Sequence, residues 1–473
     1  METSPLLAQS KLHFDKGEIR EAVECAREEL KQNPTSLDAR AALIMCYGLV
    51  GEMTNLITLL RETTEVYPSA LPFTSSYLFC LNYFNASPDF ILSEHIRLMK
   101  RAEGFILNPT RPQQASISER KIRIGYVSGD FRVHACAHLT LPLLGHHDHS
   151  HFDIFLYSNN PDNDDLTEIF KQLGHWRDIR HLSDTRAARQ IQEDGIDILV
   201  DLSGHTVGGR VSLFMHRPAP IQISWYGYLN TLGTEAIDYR FTDPFLAPPE
   251  IDRYYVEKLI RLPRAFLYEY PENIPPVAPP PYIKKGYFTF GAIHNIKKLH
   301  DVTLDLWCEV LKKVPSSKVI LNTEMGGDIQ KVLTSRFLKR GIPAEQLVFE
   351  QDRGLPHYFD FFGEYDLGLD TFPYTSGVSA MHGIWMGAPT LTIEGVTELG
   401  RNCSAVNRSR GLDEFVTQSP EDFIARAVHH AQNPSLMKRF RETCRSRPVV
   451  RNEEVVRAVE TVYKNLLSGT VEI

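Results

Sequence analysis

The sequence predicts an α/β protein of two successive Rossmann-like lobes, preceded by an all-α arm of tetratricopeptide-like repeats. Three observations predict it. The first 70 residues repeat with a period of 34, and two later stretches each alternate buried-type strands with helical segments. At 473 residues the chain exceeds what one hydrophobic core organises. A composition that is 42% hydrophobic and 23% charged can bury several cores.

The arm comes first. Ala8/Ala42, His13/Tyr47, Gly17/Gly51 and Pro34/Pro68 are each 34 apart, the period of a tetratricopeptide helix pair. Ile19, Ala22, Val23, Ala26 and Leu30 fall on one helical face, and Pro34 closes the unit. Small residues at 8, 22 and 42 are expected to let paired helices approach closely. Two repeats bury their faces only against a neighbour, so the arm (1–70) is expected to lean on a helical transition segment (71–120) containing Tyr77 to Phe84 and Leu92 to Ala102.

From Lys121 the texture changes. KIRIGYV, DIFLYS and IDILVDL read as buried strands with helices near 134–144, 164–173 and 185–194, and IQISWYGY, DYRFTD and KLIRLP extend the lobe (121–272). The proline-rich stretch Asn273 to Gly286 is expected to be an extended connection (273–286). YFTFGAI, KVILNT, LVFE, DLGLD and TLTI, with helices at 301–312, 328–340, 357–364 and 379–387, build a second lobe that ends in helices (287–473). Parallel sheets of this kind place ligands beyond the carboxyl ends of their strands.

Composition narrows the function. A net charge of -8 disfavours nucleic acid or an anionic membrane as a whole-molecule partner. The opening METSPLLAQSKLHF reads as no secretory signal, and no apolar run approaches a membrane span. Seven scattered cysteines without CxxC suggest reduced thiols and a cytoplasmic protein.

Three loops after strands concentrate functional groups. SGDFRVHACAH sets His134 and His138 four apart, but no metal is expected there, because no carboxylate or third histidine stands at a recognisable offset. His134, at a helix start, is expected to reach substrate. In GAIHNIKKLHD, Lys297 and Lys298 compete to neutralise a phosphate, and the other lysine is expected to be a solvated surface charge. In LDTFPYTSGVSAMHGIWMGAP, a helix begins near Val378 or Ser379 after Gly377, and its free N–H groups form a pyrophosphate site. The absence of GxGxxG and GxxxxGK[ST] weighs against dinucleotide and P-loop ATPase functions.

These segments, with LNYFNASPDFILSEH, ILVDLSGHTVGGR, RPAPIQISWYGYLNTLGT and GVTELGRNCS, resemble in order the O-GlcNAc transferase and SPINDLY family of glycosyltransferases, its bacterial members especially. The resemblance runs from about Ser75 to the C-terminus. It implies a GT-B fold, an N-terminal tetratricopeptide arm holding a protein acceptor, a nucleotide-sugar donor (a UDP-sugar foremost), inversion at the sugar, and no metal or other cofactor. It leaves a homo-oligomer open. It implies that His134 is a catalytic cleft residue, that Lys298 contacts the donor diphosphate with Asn295 near the nucleotide, and that Gly377 cradles phosphates. Where the family has threonines, this chain has Val378, Ser379 and Ala380. Where an acidic residue holds the donor ribose, it has His382. Tyr358, with His357 beside it, stands at a nucleotide-side histidine position, and Leu229 replaces a proline.

A transferase using GDP-fucose, UDP-glucose or a nonulosonic acid, a nucleotide-sugar epimerase, and a non-catalytic binding protein are the competing readings. The arm argues against the epimerase, because a small-molecule enzyme has no need of one.

Overall fold

A computed structural model describes residues 4–106, 111–113, 120–269, 274–323, 327–351, 355–446 and 450–470. Asn273, the expected start of the proline-rich connection, lies outside the described residues.

Five helices form the arm: α1 (Pro5–Asp15), α2 (Ile19–Gln32), α3 (Leu37–Val50), α4 (Met53–Val66) and α5 (Leu71–Leu81). Gly17 and Gly51 take φ of 77° and 69° at equivalent turns, the left-handed conformation that glycine adopts without a Cβ penalty. Ala22 and Ala26 are buried, and Ser36 caps α3 by accepting the Ala39 N–H. The expected role of Ala8 is not seen, because its side chain is exposed. Ser10 is the small residue of α1 that packs inward, and its hydroxyl donates to the Ala22 carbonyl at 2.8 Å.

The chain folds into two compact units, Met1–Asn85 with Pro275–Glu394 and Glu414–Ser446, and Ala86–Ile274 with Gly395–Asp413 and Arg447–Ile473. These boundaries differ from the sequence-based divisions. The 71–120 segment is split, with α5 in the arm's unit and α6 (Pro88–Glu103) in the other.

The unit containing α6 is built on a parallel sheet of seven strands: β1 (Ile122–Ser128), β2 (Phe152–Ser158), β3 (His175–Asp178), β4 (Ile198–Asp201), β5 (Ile221–Ser224), β6 (Tyr239–Thr242) and β7 (Lys258–Arg261). They are ordered β3-β2-β1-β4-β5-β6-β7. Its interior strands are apolar because helices cover both faces of such sheets. Helix α7 (Ala135–Gly145) follows β1. The C-terminal helix Asn452–Ser468 belongs to this unit, where Glu460 accepts the Asp148 N–H at 2.7 Å. Arg240 and Glu398, both fully buried, pair at 2.6 Å and tie in the 395–413 segment.

The arm's unit carries a second parallel sheet: β8 (Thr289–Ala292), β9 (Lys318–Thr323), β10 (Leu347–Gln351), β11 (Leu367–Leu369), β12 (Thr390–Ile393) and β13 (Val416–Thr417). Its order is β10-β9-β8-β11-β12-β13, so its strand order reverses between β8 and β11. Gly291 of β8 is required by packing, since a Cβ there would meet the Tyr365 ring at 2.1 Å. The proline-rich connection is not extended throughout. Pro281–Lys285 closes a helical turn ended by Gly286 at φ 72°, because a proline at the first helical position is pre-set for the helix.

Candidate functional site

In the arm's unit the candidate site assembles at the β8/β11 switch point. The loop after β8 carries His294 and Asn295 into a short 3₁₀ turn, Ile296–Lys298, which Asn295 caps by accepting the Lys297 N–H at 3.0 Å. That turn separates the two lysines. Lys298 Nζ donates to the Thr375 carbonyl at 3.1 Å and sits 3.9 Å from the Tyr374 ring centroid, a cation–π geometry. Lys297 is not a solvated surface charge. It is half-buried, and its Cε would lie 3.2 Å from a Cβ placed on Gly48 of α3.

Asp370, which follows β11, organises the next loop. Its Oδ1 accepts the N–H groups of Thr371 and Ser376, each at 2.9 Å, and its Oδ2 accepts the Thr392 hydroxyl at 2.7 Å. Thr303 Oγ1 donates to the Phe372 carbonyl at 3.1 Å, and Trp307 Nε1 donates to the Asp370 carbonyl at 2.9 Å. The loop contains a cis Phe372–Pro373 bond and delivers Gly377 as N-cap of the helix Val378–Trp385. Gly377 has no side chain to cap that helix, so its first N–H groups are available to an anion. Ser376 Oγ is buried and has no hydrogen-bond partner among the described residues. Ser376 and Ser379 line one pocket with Ile293, His294 and Leu369. His294 Nε2 donates to the Leu369 carbonyl at 2.9 Å. Burial pushes its pKa down to about 4, with the Lys298 charge adding and Asp370 opposing.

The remaining expected donor residues divide. His382 and Tyr358 come together, with Nδ1 3.1 Å from the phenol oxygen and the rings edge to face at 5.5 Å. His357 does not join them. It is exposed and pairs with Asp360 at 3.2 Å. Val378 and Ser379 sit half-buried in the first turn of the 378–385 helix.

In the other unit, the loop after β1 is pinned by side chains. Ser203 Oγ accepts the Gly129 N–H at 3.1 Å, Asn160 holds both the N–H and the carbonyl of Phe131, and Asp164 accepts the Val133 N–H at 2.7 Å. His134 then caps α7, its Nδ1 accepting the Cys136 N–H at 3.2 Å. That bond takes the Nδ1 lone pair, so the neutral ring carries its proton on Nε2 and offers a donor there. Sequence reasoning missed a carboxylate here: Asp130 Oδ2 comes to 3.5 Å from His134 Nδ1. Ligand atoms of Asp130, His134 and Cys136 lie within 4.8 Å of one another. Burial pushes the Cys136 thiol up to about 12, with Asp130 adding. The same Nδ1 is the atom that caps α7, so the trio is tied to the start of that helix.

Sequence reasoning also passed over His294, Asp370, Ser376 and Tyr374 as site residues. An aspartate directly after a strand, followed by Thr, Pro and Ser, was an available signal for Asp370, since such carboxylates gather the N–H groups of the following turn.

Two doubly wound parallel lobes, a helical arm, and a lysine beside a helix start define a GT-B glycosyltransferase architecture. The chain belongs to glycosyl transferase family 41, whose model matches residues 90–273 and 285–454. A protein of Oryza sativa subsp. japonica, named a probable UDP-N-acetylglucosamine–peptide N-acetylglucosaminyltransferase SPINDLY, is 29% identical over 420 residues, 86% of this chain and 45% of its own length. The Arabidopsis thaliana protein named probable transferase SEC is 28% identical over 345 residues, 69% of this chain and 35% of its own length. The chain thus spans less than half the length of the curated relatives it matches. A mutant of Thermobaculum terrenum O-GlcNAc transferase is similar in structure, with a TM-score of 0.82 at 26% identity over 99% of both chains. No helix among the described residues is long and apolar enough to cross a membrane.

Proposed function

We propose that the protein transfers a sugar from a UDP-sugar to a hydroxyl of a protein acceptor, with inversion and without a divalent metal. The observation that carries this reading is Lys298, fixed between the Thr375 carbonyl and the Tyr374 ring next to the uncapped start of the 378–385 helix. In the proposed step the acceptor oxygen bonds to the anomeric carbon, and the bond from that carbon to the diphosphate breaks. The electron pair leaves with the diphosphate, where Lys298 and the helix N–H groups stabilise the growing charge. Asn295, Gly377, Val378 and Ser379 line the phosphate side of the donor site, and Tyr358 with His382 forms its nucleotide side.

His134 serves the acceptor side as a hydrogen-bond donor through Nε2 rather than as the base, because Nδ1 already accepts the Cys136 N–H. The hydroxyl proton then passes to a diphosphate oxygen or to water. The arm contributes to holding the acceptor.

Steady-state kinetics on Lys298→Ala and Lys297→Ala test the reading. Removing one well-placed electrostatic donor costs on the order of 10²–10³ in kcat. Lys298→Ala should show that loss, and Lys297→Ala should not. Equal small effects would refute the assignment. A second reading, a donor other than UDP-GlcNAc, is favoured by the His382–Tyr358 pair, which replaces a carboxylate on the ribose side. A thermal-shift screen of UDP-GlcNAc, UDP-glucose, GDP-fucose and a CMP-linked nonulosonic acid distinguishes the two.

A further inference from the structure

The sequence suggests an arm that serves the acceptor alone. In the structure the arm's unit brings arm residues onto the very loops that hold Lys298. Tyr83, just past α5, lies 5.0 Å from the Tyr374 ring, Phe79 of α5 meets the same ring edge-on at 6.2 Å, and the two contact each other at 5.6 Å. Tyr83 is buried, so this cluster is core packing rather than a surface contact. The next residue, Phe84, stacks on His300 at 6.4 Å with only 7° between the ring planes. At the second repeat, a Cβ on Gly51 would meet the Ile296 side chain at 3.1 Å, as one on Gly48 would meet Lys297. The 3₁₀ turn that carries Lys298 is thus backed by α3 and by the end of α5.

We propose that Tyr374, wedged by Tyr83 and Phe79 of the arm, is a positioning residue that aims Lys298 at the donor diphosphate. The inference rests on the donor-site reading of Lys298. Its physical basis is the chain of contacts from arm to ring to ammonium. A lysine side chain has four rotatable bonds and large rotamer entropy. A ring face at 3.9 Å, with a carbonyl acceptor at 3.1 Å, limits where the ammonium sits before donor arrives. Such pre-ordering lowers the cost of binding a diphosphate, and it does nothing for the nucleoside. Tyr374 itself cannot drift, because Thr371 Oγ1 donates to its carbonyl at 2.6 Å and the arm closes one face of its ring.

The test measures affinity for UDP and for uridine in the full-length protein, by calorimetry and equilibrium dialysis. The variants are Tyr374→Leu, Tyr374→Phe, Tyr83→Leu, Lys298→Ala and the double variant Tyr374→Leu/Lys298→Ala. Tyr374→Leu is expected to weaken UDP about fivefold, the scale of one cation–π contact, while uridine is unchanged. Tyr374→Phe keeps the ring and restores UDP affinity. Tyr83→Leu, which touches the ring only from the arm side, lowers UDP affinity in the same direction. On the Lys298→Ala background Tyr374→Leu should add nothing, as expected of a residue that acts through the lysine. A Tyr374→Leu loss that persists without Lys298, one that affects uridine equally, or a gain in UDP affinity would overturn the proposal. If Lys298→Ala leaves UDP affinity intact, the donor-site reading itself fails.

Discussion

Removing the Asp370 side chain should disassemble the 371–377 loop, which the proposed reading assigns to the donor phosphates. Asp370 is 1% exposed, and its carboxylate accepts from two backbone N–H groups and one hydroxyl. Hydrogen bonds to a charged group contribute about 1.5–3 kcal/mol each, but three around one carboxylate are not additive. Asp370→Ala leaves the Thr371 and Ser376 N–H groups and the Thr392 hydroxyl without that acceptor in a dry site. The expected cost is about 3–5 kcal/mol, the range for breaking a buried charged network. At about 2.1 cal/mol/K of unfolding entropy per residue over 473 residues, that lowers the midpoint of cooperative unfolding by roughly 3–5 °C. Asp370→Asn differs in kind. Its carbonyl can occupy the Oδ1 position and keep both backbone N–H groups, and its amide can donate to a Thr392 hydroxyl that rotates to accept. Its cost should be about 1–2 kcal/mol. Thermal unfolding followed by tryptophan fluorescence measures both. UDP calorimetry then shows whether affinity is lost in the alanine variant and largely kept in the asparagine one. An alanine variant within ~0.5 kcal/mol of wild type, or an asparagine variant as damaged as alanine, would refute this account of the loop.

Two further outcomes are expected. Burial holds the folded pKa of His294 at about 4, below its unfolded value near 6.5, so the unfolded chain binds the proton first as pH falls. Stability from this residue is therefore complete above about pH 6.5 and lost progressively down to about pH 4. In His294→Gln that part of the slope should vanish, so a wild-type minus variant difference that is constant with pH in denaturant titrations would contradict it. On the metal-free reading, transfer continues in excess EDTA, and a loss of activity restored by magnesium or manganese would reject it.

Much of the fold is legible in the sequence because buried parallel strands are short apolar runs. The segment predicted at 318–323 coincides with β9, and that at 390–393 with β12. What is missed has a physical reason. β3, HWRD, is an edge strand whose two end residues are exposed, so it has no apolar run to detect. β13 is two residues long, too short for any periodicity. In the site, strand-end positions are readable, whereas the choice between Lys297 and Lys298 is not a matter of helical spacing. It is made by a 3₁₀ turn that sends one side chain to Tyr374 and the other to Gly48. The wedge of Tyr83 on Tyr374 joins residues almost 300 positions apart (~291) and follows from no local rule.

The departures at 378–382 sort by what each part of a donor demands. A diphosphate is recognised by charge and by backbone N–H groups, and on the proposed reading both are present here. Lys298 is held in place, and the helix start at Gly377 depends on no side chain, so valine and alanine at 378 and 380 leave it intact. Ser376, whose hydroxyl is buried and unpartnered among the described residues, stands close by where the family threonines are missing. The nucleoside side is different, because ribose and base are read by side-chain donors and acceptors. There, where the family resemblance implies a carboxylate, stands His382, bonded to Tyr358 and packed against Phe359 and Trp385. A carboxylate accepts two ribose hydroxyls as an anion. An imidazole engaged with Tyr358 through Nδ1 cannot accept two ribose hydroxyls as a carboxylate does, and it sits beside flat aromatic surface suited to stacking. On the proposed reading, phosphate binding is conserved in mechanism while nucleoside selection has been rebuilt from charge recognition to aromatic packing.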